Sequence, residues 1–133
     1  MIVVDTNIIA YLYLSGERSR QAEELLSREP NWVAPILWRS EFRNILTHYL
    51  SKKLLNLDDI MLILQQAESL MADSEYEIAS AQVMRLVNNS NCSAYDCEFV
   101  AIAQYLNVPL VTADKNILQE FPDIARPVDS FID

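Results

Sequence analysis

The sequence predicts an α/β fold in which a short, largely parallel sheet is covered on both faces by helices. Three observations lead there. Short apolar, largely β-branched runs recur at Ile2-Val3-Val4, Trp32-Val33-Ala34 and Val108 to Thr112. Helical patterns fill the stretches between them, long enough for the crossover that parallel strands require. Hydrophobic residues make up 51% of the 133, enough for a real core and too many for a disordered chain.

Taken in order, Met1 to Val4 reads as a buried strand. Asp5-Thr6-Asn7 then opens a helix carrying Ile8, Ile9 and Leu12, since all three residue types cap helix N-termini. A second helix is expected over about Glu17 to Arg28, with Ala22, Leu25 and Leu26 inward. Pro30-Asn31 breaks it, Trp32 to Ala34 forms a brief strand, and Pro35 is expected to start a long helix to about Lys53. That helix repeats apolar residues at Leu37, Trp38, Phe42, Ile45, Leu46 and Tyr49. Asn56-Leu57-Asp58-Asp59 caps another, running to about Ala72. Further helices are expected over Ile78 to Val87 and Ser93 to Leu106, then a strand over Val108 to Thr112. A short helix after Asp114 and an extended piece around Arg126-Pro127-Val128 complete a single expected domain, 1–133.

Several function classes fall away at once. The lone glycine, Gly16, excludes a Gly-rich phosphate loop or dinucleotide fingerprint. No apolar run approaches the roughly 20 residues of a membrane helix, and the N-terminus lacks the basic region and cleavage site of a signal peptide. Cys92 and Cys97 have neither zinc nor redox spacing and read as reduced core thiols, which fits a cytoplasmic protein. The net charge of −9 is awkward for a nucleic-acid binder. Neutralising four carboxylates would still leave the chain acidic, so such a substrate needs local basic groups, a partner or a metal.

Four acids stand where packing and solubility explain a carboxylate least. Asp5 ends the first strand, and Asp114 follows Leu110-Val111-Thr112-Ala113. Both therefore belong at the carboxyl edge of the sheet, where ligands bind in such folds. Glu41 lies between Leu37 and Ile45 at helical spacing, on an apolar stripe. Asp96 precedes Phe99 and Val100 on a similar face, near enough to its helix start to favour the dipole. One such acid is readily a boundary residue or a cap; four together call for a shared partner. Two carboxylates about 4 Å apart repel by roughly 4 kcal/mol at an effective dielectric of 20. A divalent cation relieves that repulsion, and hard oxygen donors without His or Cys suit Mg²⁺ or Mn²⁺ rather than Zn²⁺. A metal so held can lower the pKa of water and steady charge building on a phosphoryl group.

Val3-Val4-Asp5-Thr6-Asn7, Ser93-Ala94-Tyr95-Asp96 and Leu110-Val111-Thr112-Ala113-Asp114 resemble the hallmark segments of PIN-domain nucleases, with Glu41 in the mid-chain acidic position. Order, spacing and length match over essentially the whole chain, and the small VapC-like toxins of toxin–antitoxin pairs are the most similar group. The resemblance implies a three-layer α/β/α fold and a Mg²⁺- or Mn²⁺-dependent endoribonuclease hydrolysing RNA phosphodiester bonds. Asp5, Glu41, Asp96 and Asp114 would be its catalytic, metal-holding residues, and Thr6, Asn7 and Thr112 their supporting polar groups. A homodimer and a cognate antitoxin protein are its implied partners. Where some relatives carry a further acid after the last motif, this chain has Asn116, which weakens a second metal position.

The nearest basic residues by sequence are Arg39, Arg43, Lys52, Lys53 and Lys115. His48, late in the long helix, reads as a surface residue, and Trp32 and Trp38 as core or interface. Leu55 to Met71, with Met61, Ile63, Leu64 and Leu70, carries more apolar surface than one face needs, so part of it is expected to meet a second subunit. Two rivals remain in view. A phosphoacceptor domain would want paired acids after the first strand and a late strand-end lysine, where this chain has Asp5-Thr6 and Thr112-Ala113-Asp114. A catalytically silent PIN-like module that binds RNA or a partner keeps the fold without the chemistry.

Overall fold

The computed structural model describes residues 1–132; the last residue of the expected domain, Asp133, lies outside the described residues. Among the described residues, five short strands form one parallel sheet: β1 (Ile2–Val4), β2 (Trp32–Pro35), β3 (Glu75–Tyr76), β4 (Leu110–Val111) and β5 (Ala125–Arg126). Seven helices connect them: α1 (Thr6–Tyr13), α2 (Glu17–Arg28), α3 (Trp38–Ser51), α4 (Leu57–Met71), α5 (Ser80–Asn88), α6 (Ala94–Leu106) and α7 (Lys115–Glu120), with a 3₁₀ turn at Val128–Ser130. The α/β expectation therefore holds, with helices flanking the sheet.

Strand order is β3-β2-β1-β4-β5. The chain lays β2 and β3 on one side of β1, then returns to place β4 and β5 on the other. The reversal falls between β1 and β4, the position where ligands bind in open α/β sheets. Val3 pairs with Leu110 and Val4 with Val111, and the Asp5 N–H extends the ladder to the Val111 carbonyl at 3.0 Å. β1, β2 and β4 are buried throughout. Across β1, β2 and β4 lies α6, with α5 packed on it, while α1 packs on α2 and α3, and α4 reaches β2.

Local chemistry explains most helix starts. Asp5 caps α1, Asn56 and Asp59 form a reciprocal capping box on α4, Ser93 caps α6 and Asp114 caps α7. Helix α6 ends at Asn107 in the left-handed conformation that Asn tolerates. Gly16, with φ +148°, makes the tight α1–α2 junction that a side chain would strain. Trp32, Trp38, Phe42 and Phe99 are among the largest fully buried side chains, so both tryptophans are core. Ile63, Leu64 and Leu70 pack on the core, whereas Leu54, Leu57, Met61 and Leu62 stay exposed as an apolar strip around the start of α4.

The structure corrects two expectations. Pro35 ends β2 instead of starting α3, which begins at Trp38. The Ala34 N–H donates to the Ser74 carbonyl just before β3, and the Ile36 N–H to the Tyr76 carbonyl within it. Pro35 lies between them at the end of β2, so its missing N–H interrupts neither of these bonds. The two-residue strand β3 was not expected, and it anchors an ionic cluster. Glu75 accepts from the Arg39 guanidinium and from Trp38 Nε1 at 2.8 Å, while Arg39 Nη1 also donates to Glu68 at 3.0 Å. This cluster ties α3, α4 and β3 together.

The Arg39 partner holds the Glu75 carboxyl below its ordinary 4.5, so its stabilisation is present above that value and lost as pH falls through the depressed one. With only 14% of its side chain exposed, Glu75→Gln is expected to cost about 1–2 kcal/mol at pH 7. Urea denaturation should show that cost shrinking at acidic pH.

Candidate active site

The first of the four acids is set by the sheet itself. Asp5 follows β1 directly and caps α1, accepting the Thr6 N–H on Oδ1 at 2.8 Å. Its other oxygen accepts the Thr112 hydroxyl at 2.7 Å, a bond between residues 107 apart in sequence. Thr112, fully buried just after β4, also accepts the Asp114 N–H at 3.0 Å. One hydroxyl thus fixes the two strand-end acids relative to each other.

The other acids arrive on helix N-termini. Glu41 sits in the first turn of α3, where its Oε1 accepts the Thr6 hydroxyl at 2.7 Å. Asp96 sits in the first turn of α6, its N–H bound to Ser93 Oγ at 3.1 Å. Asp114 caps α7 through Oδ1, which accepts the Asn116 and Ile117 N–H groups at 2.8 and 3.1 Å. All four acids line one cavity of about 240 Å³, together with Thr6, Asn7, Asn44 and Ile45. No basic side chain lines it.

Electrostatics reflect that crowding. Burial pushes the Asp5 carboxyl above its ordinary value; its two hydrogen bonds oppose the rise, and the Asp96 and Asp114 charges add to it. Glu41 is raised by burial, against the Thr6 bond, with Asp5, Asp96 and Glu98 adding repulsion. Asp96 is raised by burial and then by Asp114. The arrangement favours an added positive charge, and its all-oxygen donors fit a hard divalent cation. Among the described residues, however, no three His, Cys, Asp or Glu side chains are gathered closely enough to hold one ion directly.

The expected residues divide clearly. Asp5, Thr6, Asn7, Glu41, Asp96 and Asp114 line the cavity, and Thr112 supports it from beneath. None of the basic candidates lines it, because Arg39 is committed to Glu68 and Glu75 and Lys52 and Lys53 follow the far end of α3. His48 is exposed on α3. Asn116 donates its amide to the Asn91 carbonyl at 3.2 Å, turned towards the loop before α6. Two neighbours escaped the sequence reading: Asn44, one helical turn after Glu41, and Glu98, whose charge reaches Glu41. The i, i+3 spacing of Asn44 from Glu41 was a usable signal. Cys92 and Cys97 are free and buried, and burial pushes the Cys92 thiol up to about 11.

The PIN domain family model matches residues 2–125. Ribonuclease VapC3 of Pyrobaculum aerophilum is 28% identical over 130 residues, covering 95% of this chain and 98% of that protein. The crystal structure of PAE2754 from Pyrobaculum aerophilum superposes with a TM-score of 0.72 at 20% identity, over 97% of this chain and 91% of that one. FitAcB from Neisseria gonorrhoeae gives 0.70 at 19% identity, over 94% and 95%. At these identities the two structures speak to the fold.

Two outcomes follow from the geometry. Thr112→Val keeps the shape but leaves Asp5 Oδ2 and the Asp114 N–H unpaired, so it should cost about 1–3 kcal/mol in denaturant unfolding. Raised carboxyls hold their protons more tightly in the fold, so the stability they contribute is present below the ordinary value of 3.8 and lost as pH rises through the raised one. In metal-free buffer at pH 7, Asp96→Asn should therefore melt a few degrees above the parent. That gap should close as pH falls below 3.8.

Proposed function

This chain belongs to the PIN domain family, and on that premise we propose that it is a metal-dependent endoribonuclease hydrolysing RNA phosphodiester bonds. The observation that carries the reading is the convergence of Asp5, Glu41, Asp96 and Asp114, from four separate segments, on one cavity free of basic groups. The name of Ribonuclease VapC3, similar over nearly its whole length, supports RNA as the substrate.

Asp5, Glu41, Asp96 and Asp114 would hold Mg²⁺ or Mn²⁺. Mg²⁺ commonly keeps several waters and takes one or two carboxylates directly, so a site without three clustered ligands remains compatible with it. When bound, such an ion supplies Lewis-acid polarisation of a phosphoryl oxygen and a lowered pKa for attacking water. The chain's own groups do the orienting. Thr112 holds Asp5, Thr6 holds Glu41, and the helix α7 N–H groups hold Asp114. Asn7 and Asn44 present amides to the cavity, where they can donate to phosphate oxygens or ribose hydroxyls.

We assign the protein to the toxin side of a toxin–antitoxin pair, working in the cytoplasm as a homodimer with a cognate antitoxin. Similarity to VapC3 supports the pairing, and free buried thiols fit a reducing compartment. Among the described residues no helix is long and apolar enough to cross a membrane. The exposed strip of Leu54, Leu57, Met61 and Leu62 offers an apolar face for protein contact. One observation favours the alternative of a catalytically silent binding module: among the described residues, no three candidate ligands stand gathered around one point.

Cleavage of RNA by the purified protein decides between them. Activity should require Mg²⁺ or Mn²⁺, stop with EDTA, and fall at least 10²-fold in Asp5→Asn, the scale of losing one electrostatic element of such a site. Mg²⁺ should raise the melting temperature of the parent and leave that of Asp5→Asn unmoved. Metal-independent activity that survives in Asp5→Asn would mark a contaminant. No cleavage by a folded, metal-binding protein would favour the silent module.

A further inference from the structure

Beside the acidic cavity lies a larger one of about 460 Å³, between α1, the start of α2 and α3. Asn7 and Ile45 line both, so a chain leaving the acids on that side enters it directly. Its walls include Tyr11, Tyr49, Ser15 and Arg18. Arg18 is exposed, yet its position is defined: Nη1 donates to the Tyr11 hydroxyl at 2.8 Å, and the guanidinium carbon lies 5.0 Å from the Tyr11 ring centroid. Arg18 also borders a cavity of about 400 Å³ on its other side, shared with Thr112 and Lys115. It therefore stands between two hollows, one adjoining the acids through Asn7 and Ile45 and the other reaching Thr112.

We propose that Arg18, seated on Tyr11, forms a stacking subsite for an unpaired base of single-stranded RNA whose scissile phosphate lies at the acids. This inference rests on the nuclease reading and deepens it. A guanidinium backed by an aromatic ring presents a flat cationic face, and unpaired bases stack on such faces. Bases within a duplex are already stacked on their neighbours and cannot. Charge points the same way. Glu17 lines both hollows and offsets Arg18, so the tract is close to neutral while the rest of the chain is acidic. Affinity there comes from stacking and from hydroxyl and amide contacts, with weak dependence on salt.

The test compares the parent with Arg18→Gln and Tyr11→Phe, using a labelled single-stranded RNA of mixed sequence and its duplex. Steady-state cleavage in Mg²⁺ should show KM rising about tenfold in Arg18→Gln, the effect of losing one stacked contact, with kcat within about twofold. Tyr11→Phe keeps the ring but frees Arg18, and should give a smaller rise. Fluorescence anisotropy on an Asp114→Asn background, which preserves the RNA, should show the same loss in affinity for the single strand and little change for the duplex. Melting curves identify any variant that merely unfolds, and Tyr11→Phe then carries the comparison. Cleavage and binding that ignore Arg18 would overturn the subsite, leave the nuclease intact and open the hollow to a protein partner. Binding through Arg18 without cleavage would do the reverse. A parent that neither binds nor cleaves single-stranded RNA would overturn both.

Discussion

The pairing of β1 with β4 is the constraint on which the rest of the site depends. It sets Val4 against Val111 and so places Asp5 within reach of the Thr112 hydroxyl. Asp5 is buried, and a buried carboxylate is tolerable only when its oxygens are bonded. A shift of this register by one residue would part Asp5 Oδ2 from the Thr112 hydroxyl and turn every β1 side chain to the opposite face of the sheet. The hydrophobic pattern and the polar bond therefore enforce the same alignment.

Each of the four acids stands at or within the first turn of a helix. Asp5 and Asp114 are N-caps, while Glu41 and Asp96 lie in first turns. Helix N-termini carry partial positive charge and unpaired N–H groups, which stabilise nearby anions. Here they substitute in part for the basic side chains the cavity lacks. Capping and function are thus compatible readings of the same residues. The compensation is incomplete, since Asp5, Glu41 and Asp96 all remain pushed upward by burial and by neighbouring carboxylates. Residual repulsion of that kind makes a metal-free site electrostatically costly and a cation-loaded one favourable.

The ten basic residues are few and several are spent on structure. Arg39 is locked against Glu68 and Glu75, Arg28 pairs with Glu24, and Arg126 donates to backbone carbonyls. In an acidic chain, a polyanion cannot be gathered by a broad positive surface. Local contacts around the acids, among them amides, hydroxyls and aromatic faces, must do more of that work than in a basic nucleic-acid binder.

How much was legible beforehand depends on the range of the interaction. The cappers Asp5 and Asn56 announced their helices, and apolar spacing at Phe42 and Leu46 or Phe99 and Val100 announced buried faces, because those signals act within a turn or two of chain. Residues 75–76 hid a strand: Glu75 and Tyr76 form a pair too short to show alternation, and only the waiting edge of β2 makes them extended. Pro35 ends a strand because its neighbours Ala34 and Ile36 carry the bonds towards β3, a pairing that no local signal encodes. Arg39 lies two residues before Glu41, yet its charge is spent on Glu75, a contact that no local spacing encodes. The sequence by itself determined which residues are acidic, which helices they start and that two of them follow strands. Only the tertiary structure decided that β1 and β4 lie side by side, and that Thr112 joins two acids. Strand neighbours are chosen by packing across more than a hundred residues, which local periodicity does not specify.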